Sequence, residues 1–294
     1  MKLTRFDKNV HQLDIGGTEM KLAIMGDLHW DSPYCDREKL KKDLDYCLDN
    51  SIPILGIGDW FDLMASKKDF RGTKNTIRPE FKSDRYFDLV TEHAVEWFSP
   101  YAHLIQVLGL GNHETSILKH QESCPMTRFV DLMNYKNTTK IQVGGYGGWF
   151  LVRMKMGNMT ANTKIKYFHG SGGASPMSQG SLQLSRSLMQ YESADCYVVG
   201  HTHYDSSRTI VREEIKSSRN GAFINYKEVH QMICGTYKEE FKGGSSGWHV
   251  ERGAGVKPTG ARILTIKLKK KKTKEANYYR EQLVKEIDSH RFPR

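Results

Sequence analysis

Five short blocks of aspartate, asparagine and histidine lie along the first two thirds of this 294-residue chain. Carboxylate, amide and imidazole groups suit divalent transition metals. Two such ions can hold both the attacking and the leaving oxygen of a phosphoester. The blocks therefore predict a two-metal hydrolytic centre. In chain order they are Asp27-Leu28-His29, Gly58-Asp59, Gly111-Asn112-His113-Glu114, His169 and Gly200-His201-Thr202-His203.

The spacing within the blocks suits shared coordination. In Asp27-Leu28-His29 the two ligand-type residues are two positions apart, and in an extended chain such residues lie on one face. His201 and His203 have the same spacing. Each short pattern alone is common by chance. Five of them in order, each beside a glycine and after an apolar run, are far more specific.

Apolar runs precede the blocks and predict the strands that carry them. In an open α/β sheet, ligands bind at the carboxyl ends of the strands. Helices are predicted over 36–50, 85–98, 125–133 and 182–191, and this alternation predicts an α/β layered fold. The five predicted strands are Lys21–Met25, Ile54–Ile57, Leu104–Leu108, Lys164–Phe168 and Cys196–Val199.

The charge is unevenly distributed. The net charge is +10, and residues 257–294 supply +8 of it, with twelve Lys or Arg against four Asp or Glu. We expect a domain over 1–268, with a basic insertion at about 64–86, and a basic tail over 269–294 whose 274–287 part can form a helix. A basic tail favours polyanions such as nucleic acid, and a merely solubilising role is equally open.

Other bulk features predict the compartment. The five cysteines are odd in number and scattered, so we expect reduced thiols. The chain has no long apolar run and begins without a signal-peptide pattern. We therefore expect a cytoplasmic protein that does not bind membranes. The oligomeric state and the role of residues 243–260 are left open.

On these motifs the chain resembles the calcineurin-like metallophosphoesterases, and the likeness spans residues 26–203. It implies a four-layer α/β/β/α sandwich with two mixed sheets. It also implies a hydroxide, shared by two ions, that attacks phosphorus in line. By the resemblance, Asp27, His29 and His203 hold the first ion, Asp59 bridges both ions, and Asn112, His169 and His201 hold the second.

The resemblance also implies two catalytic residues. His113 stabilises the transition state or protonates the leaving oxygen, and Asp62 orients that histidine. Protein phosphatases of the family carry arginines where this chain has Leu63 and Leu110. A terminal phosphate dianion favours such guanidinium clamps, so their absence favours a diester substrate. The metals are left open: we expect manganese first, and iron, zinc or nickel suit the same ligands.

Nucleic acid is the expected diester, DNA more than RNA, which makes a nuclease the first hypothesis. Two aromatics beside the blocks, Trp30 and Trp60, are candidates for stacking on bases, although packing is the commoner role for such residues. The alternatives are a phosphoesterase for cyclic nucleotides or nucleotide-like metabolites, a phosphoprotein phosphatase, and an inactive scaffold. Exo or endo action is left open. The basic insertion supplies the candidate substrate contacts Lys67, Lys68, Arg71, Lys74 and Arg78.

Overall fold

The computed structural model describes residues 1–64, 77–218, 221–239, 241, 253, 256–275 and 278–293. Two sheets dominate this part of the chain, and both mix parallel with antiparallel pairs. The larger sheet has seven strands, in the spatial order β1 (Lys2–Asp7), β2 (Val10–Gly16), β7 (Gly147–Met156), β8 (Met159–Phe168), β9 (Cys196–Val199), β11 (Gly221–Cys234) and β10 (Asp205–Ser218).

The second sheet has six strands, and five helices complete the main described elements. The strands lie in the order β13 (Tyr278–Arg291), β12 (Arg262–Glu275), β3 (Glu19–Met25), β4 (Ile54–Ile57), β5 (Ile105–Gly109) and β6 (Gln142–Val143). The helices are α1 (Arg37–Asp49), α2 (Tyr86–Phe98), α3 (Asn112–Gln121), α4 (Pro125–Asn137) and α5 (Ser181–Gln190).

The hydrophobic core shows the layering. One buried cluster joins the inner faces of the two sheets, with Leu22 and Leu55 from one and Phe150 and Ile165 from the other. A second cluster packs α1 to α4 onto the outer face of the six-stranded sheet. A third, around Leu184 of α5, covers part of the seven-stranded sheet. The predicted α/β fold with two mixed sheets is confirmed.

Local sequence explains the helix that follows the first block. Asp36 caps α1 by accepting a hydrogen bond from the Lys39 backbone N–H at 2.9 Å, which satisfies a donor that the helix leaves unpaired. Leu40 and Leu44 recur at helical spacing and are fully buried against the sheet. The predicted helix over 36–50 is confirmed.

Parallel pairing brings the predicted strand ends together. β3, β4 and β5 pair in parallel in one sheet, and β8 pairs in parallel with β9 in the other. The carboxyl ends of parallel neighbours lie at one edge of their sheet. A residue of each motif block follows one of these strands within three positions: Asp27, Asp59, Asn112, His169 and His201.

The C-terminal segment differs from its prediction. The expected boundary after residue 268 falls inside β12, and the helix expected over 274–287 is wrong, because Tyr278–Arg291 forms a strand. Leu264, Ile266 and Leu268 point inward at every second position and pack into the core between the sheets. Tyr278–Arg291 pairs antiparallel with β12 residue by residue, and this pairing makes the segment a strand instead of a helix.

Some lysines of this segment form ion pairs, unlike the lysines of a solvated tail. Lys269 lies 2.7 Å from Glu286, and Lys270 lies 3.5 Å from Glu281 on the paired strand. These exposed pairs contribute little to stability, yet they offset part of the positive charge. The basic tail is therefore a sheet-forming hairpin with partly neutralised lysines.

Candidate metal centre

In the part of the chain that the structure describes, ligand-type atoms form three neighbouring groups at the carboxyl ends of the strands, one of which, His29, Asp62 and His113, shares His29 with the first group described below. In the first, His203 Nε2 lies 3.4 Å from Asp27 Oδ1 and 3.3 Å from His29 Nε2. The three residues of this group offer one ligand atom each within 4.8 Å of one another. The structure thus brings together the side chains that the resemblance assigns to a first ion.

The second group is built in the same way. Asp59, His169 and His201 offer ligand atoms within 4.8 Å of one another. The amide oxygen of Asn112 joins them, at 2.8 Å from His201 Nδ1 and 3.1 Å from His169 Nε2. These are the three side chains that the resemblance assigns to a second ion, together with Asp59, which it assigns to both ions.

Asp59 reaches both groups. Its Oδ2 atom lies 3.2 Å from His169 Nε2 in the second group and 3.9 Å from His29 Nε2 in the first. Its other oxygen, Oδ1, accepts a hydrogen bond from the His113 backbone N–H at 3.0 Å, which fixes the orientation of the carboxylate. Asp59 therefore lies between the two groups and contacts both.

The backbone at this site is strained. Five of the candidate ligands have positive φ angles between 46° and 68°, a region that residues with a Cβ rarely adopt. Such strain costs about 1–3 kcal/mol per residue and is found mostly at functional sites, where the surrounding structure holds it. The five residues are Asp27, His29, Asp59, His201 and His203.

Two glycines of the motifs allow close approach of the chain segments. A Cβ added at Gly200 would lie 2.6 Å from Asp27 Oδ2, and one at Gly111 would collide with the carboxylate of Asp59. Neither position is free for a larger residue unless a candidate ligand moves. This steric requirement explains why glycine stands beside the ligand-type residues at both positions.

Hydrogen bonds on the far side of the imidazoles select which nitrogen faces the centre. His169 Nδ1 lies 3.1 Å from the Ile57 carbonyl oxygen, and His29 Nδ1 lies 2.8 Å from Asp62 Oδ1. Both partners only accept, so each Nδ1 carries a proton and each Nε2 is the atom that faces inward. Metal-ligating histidines are held in this way.

The contact of Asp62 corrects the role expected for its carboxylate. The side-chain oxygen binds His29, while His113 Nδ1 hydrogen-bonds to the backbone carbonyl of Asp62. The Asp62 carboxylate is 3.8 Å from His113 Nδ1. Asp62 therefore orients His113 through its main chain, and its carboxylate fixes a candidate metal ligand instead.

A buried lysine was not predicted from the sequence. Lys238 Nζ lies 3.0 Å from Asp62 Oδ1, and the lysine side chain is 7% exposed. It follows β11 and belongs to none of the motif blocks. The available sequence signal is its place just after Cys234-Gly235-Thr236-Tyr237, at the carboxyl end of a strand that pairs in parallel with β9.

A buried glutamate also has a role that the motif alone does not show. Glu114 accepts hydrogen bonds from the backbone N–H groups of Asp59, Phe61 and Gly111, at 3.1, 3.0 and 2.8 Å. Burial, together with the nearby charge of Asp59, raises the pKa of Glu114 to about 7. Glu114 thus ties the loop after β4 to the start of α3.

The electrostatics of the centre suit a cation. Burial raises the pKa of Asp59, but the charges of His169 and His113 outweigh it and hold that pKa well below its usual range. The pKa of His29 falls to about 4 because of burial and the charge of Lys238. Burial lowers the pKa of His169, but Asp59 outweighs this and raises it to about 9. An ionised carboxylate therefore holds an extra proton on His169.

The donor set fits divalent metal ions. Two carboxylates, one amide oxygen and four imidazoles match the borderline ligands that manganese, iron and zinc accept. Asp27, Asp59 and His169 are essentially inaccessible to solvent, where charged groups are stable only when paired or bound to metal. The residues would hold one ion in each group, with Asp59 between them.

Only one of the five predicted basic contacts falls in the described part of the chain. Lys67, Lys68, Arg71 and Lys74 lie outside the described residues. Arg78 donates to the carbonyl oxygens of Ser32 and Cys35, at 2.9 and 3.1 Å. It braces the loop after the first block, and its contact with substrate stays a prediction.

The prediction that bases stack on Trp30 and Trp60 is wrong. The two side chains are 1% and 0% exposed, so neither ring has a face open to a ligand. Trp60 packs against Phe98 with ring centroids 5.1 Å apart, and Trp30 packs against Phe81 at 5.8 Å. Both indoles fill the core between the six-stranded sheet and its helices.

Comparisons with known proteins add little to this geometry. No family model matches the chain, and neither does any curated protein. Among solved structures it is similar to GAP50, the anchor in the inner membrane complex of Plasmodium, at 12% identity and a TM-score of 0.41 over 92% of this chain and 90% of that one.

It is also similar to a conserved protein of Streptococcus pneumoniae described as a predicted phosphoesterase. The identity is 12% and the TM-score 0.31, over 93% of this chain and 99% of the other. TM-scores this low carry no argument about family or function. In the described part of this chain, no helix has the length and apolar character needed to span a membrane.

Proposed function

We propose that this chain is a metal-dependent phosphoesterase that hydrolyses phosphodiesters. One observation carries the proposal: seven ligand-type side chains, far apart in sequence, converge as two groups that Asp59 connects. Two divalent ions bound there would supply Lewis-acid activation of a phosphoester and of the attacking water. The other tasks belong to the protein's own residues.

His113 is placed to move a proton. Its Nδ1 is committed to the Asp62 carbonyl oxygen, so Nε2 is the atom that gains and loses a proton. Nε2 lies 3.9 Å from Asp59 Oδ2, at the rim of the two groups. The side chain is 8% exposed, which leaves this edge within reach of a substrate oxygen. A protonated Nε2 there would donate to the leaving oxygen.

The surroundings favour a diester over a monoester. Leu63 is 2% exposed and Leu110 is partly buried against the core, so neither position offers a guanidinium group. A monoester dianion carries one more negative charge than a diester, and proteins commonly bind such an anion through arginine. A site without these arginines therefore suits a diester better than a monoester, because the diester has less negative charge to be neutralised.

The test compares a diester with a monoester. We expect metal-free protein supplemented with manganese to hydrolyse bis-p-nitrophenyl phosphate faster than p-nitrophenyl phosphate. Asp59→Asn should reduce the diester rate by about a hundred-fold or more, since it weakens both ligand groups. Asp131→Asn, at an exposed position of α4, is the matched control and should leave the rate unchanged.

Three outcomes would overturn the proposal. The first is no hydrolysis of either ester with manganese, iron, zinc or nickel. The second is a monoester rate that exceeds the diester rate, which would indicate a phosphatase. Activity that survives Asp59→Asn would show that another part of the chain, or a contaminant, carries it.

A further inference from the structure

One face of the seven-stranded sheet carries charged and half-exposed side chains, whereas a face covered by another layer would carry buried apolar ones. Along β7 and β8 the residues alternate, with Phe150, Val152, Ile165 and Tyr167 buried toward the other sheet. The outward positions are only half-buried or exposed. We call six of these outward side chains the Trp149 face, and they are Trp149, Leu151, Arg153, Lys155, Lys164 and Lys166.

This face is not covered by a described helix. α5 packs beside it, where Leu184 contacts a cluster that includes Tyr197 and Val199 of β9 and Ile233 of β11. The other four described helices pack on the six-stranded sheet. The indole of Trp149 and the stem of Lys166 consequently lie at a surface that is open to solvent on the β7 side.

The face is strongly basic. It holds four cations, and Asp14 of the neighbouring strand pairs with one of them, Arg153, at 2.6 Å. Within the described residues, no carboxylate lies within ion-pair distance of the Nζ atoms of Lys155, Lys164 or Lys166. Asp195 accepts from the Lys164 backbone N–H at 2.8 Å and forms its ion pairs with Lys227 and Lys285. The three lysine charges are therefore available to an anionic ligand.

Aromatic rings frame one of these cations. Lys166 Nζ lies 5.4 Å from the centroid of the Trp149 ring and 4.7 Å from that of Tyr191. Trp149 and Tyr191 meet edge to face at 6.1 Å. Rings combined with cations on a half-exposed sheet are the means by which proteins bind single-stranded nucleic acid, because bases stack while lysines neutralise phosphates.

The face leads to the candidate metal centre. Phe168 lies on the same side of β8 as Lys166, and the next residue is the candidate ligand His169. The ring of Tyr146 lies 5.5 Å from that of Phe168 and 5.2 Å from that of His169. Two residues of strand span about 7 Å, so Lys166 lies roughly that far from Phe168 along β8.

We propose that the Trp149 face binds single-stranded nucleic acid and leads its backbone to the metal centre. The inference rests on the proposed function, since it names the diester that the centre would cleave. A single strand fits better than a duplex because only an unpaired base can present its flat face to Trp149. The lysines contribute through phosphate contacts, which do not depend on sequence.

The first test measures binding separately from cleavage. Protein kept metal-free with EDTA is titrated into fluorescein-labelled oligo(dT), and fluorescence anisotropy gives the dissociation constant. Trp149→Ala should weaken binding by about ten-fold, as expected for the loss of one stacked base. Trp149→Phe should retain most of the affinity. Tyr135→Ala, which removes an 89% exposed ring from α4, is the matched control.

The second test measures the charge contribution. Replacing Lys164 and Lys166 with glutamine should reduce the slope of log K against log salt by about 1.4, which is the change expected for two lost phosphate contacts on a single strand. Lys42→Gln, at an exposed position of α1, should leave the slope unchanged. These variants keep the indole, so they test the face even if Trp149→Ala fails to fold.

The outcomes separate this inference from the proposed function. If the variants bind oligo(dT) like the wild type while bis-p-nitrophenyl phosphate is still cleaved, the Trp149 face is not the binding surface and the phosphodiesterase proposal stands. If binding depends on the face but no ester is cleaved, the proposed function fails instead. Tighter binding to duplex DNA or to anionic lipid vesicles than to oligo(dT) would also overturn the assignment to single strands.

Discussion

Asp62 binds two buried partners with one carboxylate oxygen. Oδ1 accepts from His29 Nδ1 at 2.8 Å and from Lys238 Nζ at 3.0 Å. Burial alone would raise the pKa of Asp62, but the charge of Lys238 together with the contacts to His29 and His113 outweighs it and holds that pKa far below its usual range. This arrangement of three side chains keeps His29 neutral and turns its Nε2 lone pair toward the centre.

Asp62→Asn should therefore weaken metal binding without removing a ligand. The amide carries no charge and leaves the Lys238 ammonium buried beside a poorer partner, so the orientation of His29 loosens. We expect manganese affinity, measured by isothermal titration calorimetry, to fall by about 10–100-fold. Asp62→Asn combined with Lys238→Met should regain thermal stability but not affinity. An affinity unchanged in the single variant would contradict this role.

The proton on His169 sets a pH dependence of metal binding. Its pKa of about 9 lies above the ordinary value of 6.5, so the imidazole is charged at neutral pH in the metal-free protein. The stabilisation from this charge is complete below pH 6.5 and is lost as the pH rises through about 9. A metal ligand must be deprotonated, so an ion competes with this proton.

We expect metal affinity to rise with pH between 6.5 and about 9. Metal binding at neutral pH should release close to one proton from this residue, which calorimetry in buffers of different ionisation enthalpy measures. In His169→Asn the release should disappear together with most of the affinity. Affinity that stays flat over this pH range would refute the contact between Asp59 and a protonated His169.

The strands that precede the candidate ligands can be predicted from the sequence, because each is encoded by a short local pattern. β3, β4 and β9 are short apolar runs, each followed by a glycine and a polar residue, and such runs are typical of buried strands. Their convergence also follows, because parallel strands end at one edge. The convergence of the motif residues was predictable for that reason, whereas their division into two groups came only from the resemblance to a known family.

The features that escaped prediction depend on tertiary contacts. Lys238 carries no motif, and its importance arises only where β11 lies beside β9 and brings it to Asp62. Asp62 contacts His29 only because the loop after β4 lies beside the loop after β3 in the folded chain. The strands beyond residue 268 were hidden because a lysine run has low intrinsic preference for a sheet, and pairing with β13 overrides this preference.

The C-terminal hairpin should be required for folding. β13 places Ile287 against the core, and Ser289 Oγ bonds to His230 Nε2 at 2.8 Å across to the other sheet. We expect a chain that ends at Glu275 to be insoluble or to melt roughly 10 °C lower or more, since each kcal/mol lost shifts the melting temperature of a large domain by about 2–4 °C.

A matched control separates the strand from its charge. Replacing Lys269, Lys271 and Lys272 with glutamine keeps β12 and β13 but removes three cations. It should change the melting temperature by only a few degrees, since exposed ion pairs contribute about 0–1 kcal/mol each. Differential scanning fluorimetry measures both variants. A truncated chain as stable as the wild type would show that residues 276–294 form an appendage after all.

The packing of the two sheets face to face brings strand ends from both to one rim. His169 and His201 follow strands of the seven-stranded sheet, and Asp27, Asp59 and Asn112 follow strands of the six-stranded one. Neither sheet alone contains a complete ligand group, because each group draws on both. The candidate centre therefore exists only when the two sheets are packed together.

A count of bound metal ions decides whether this rim is a two-metal centre. Metal-free protein is titrated with manganese, and the bound ions are counted per chain by calorimetry and by elemental analysis after gel filtration. We predict two ions per chain for the wild type and for Asp131→Asn, and the loss of at least one for Asp59→Asn. A folded wild-type chain that retains no ion, or an Asp59→Asn chain that binds two ions as tightly as the wild type, would refute the two-ion centre.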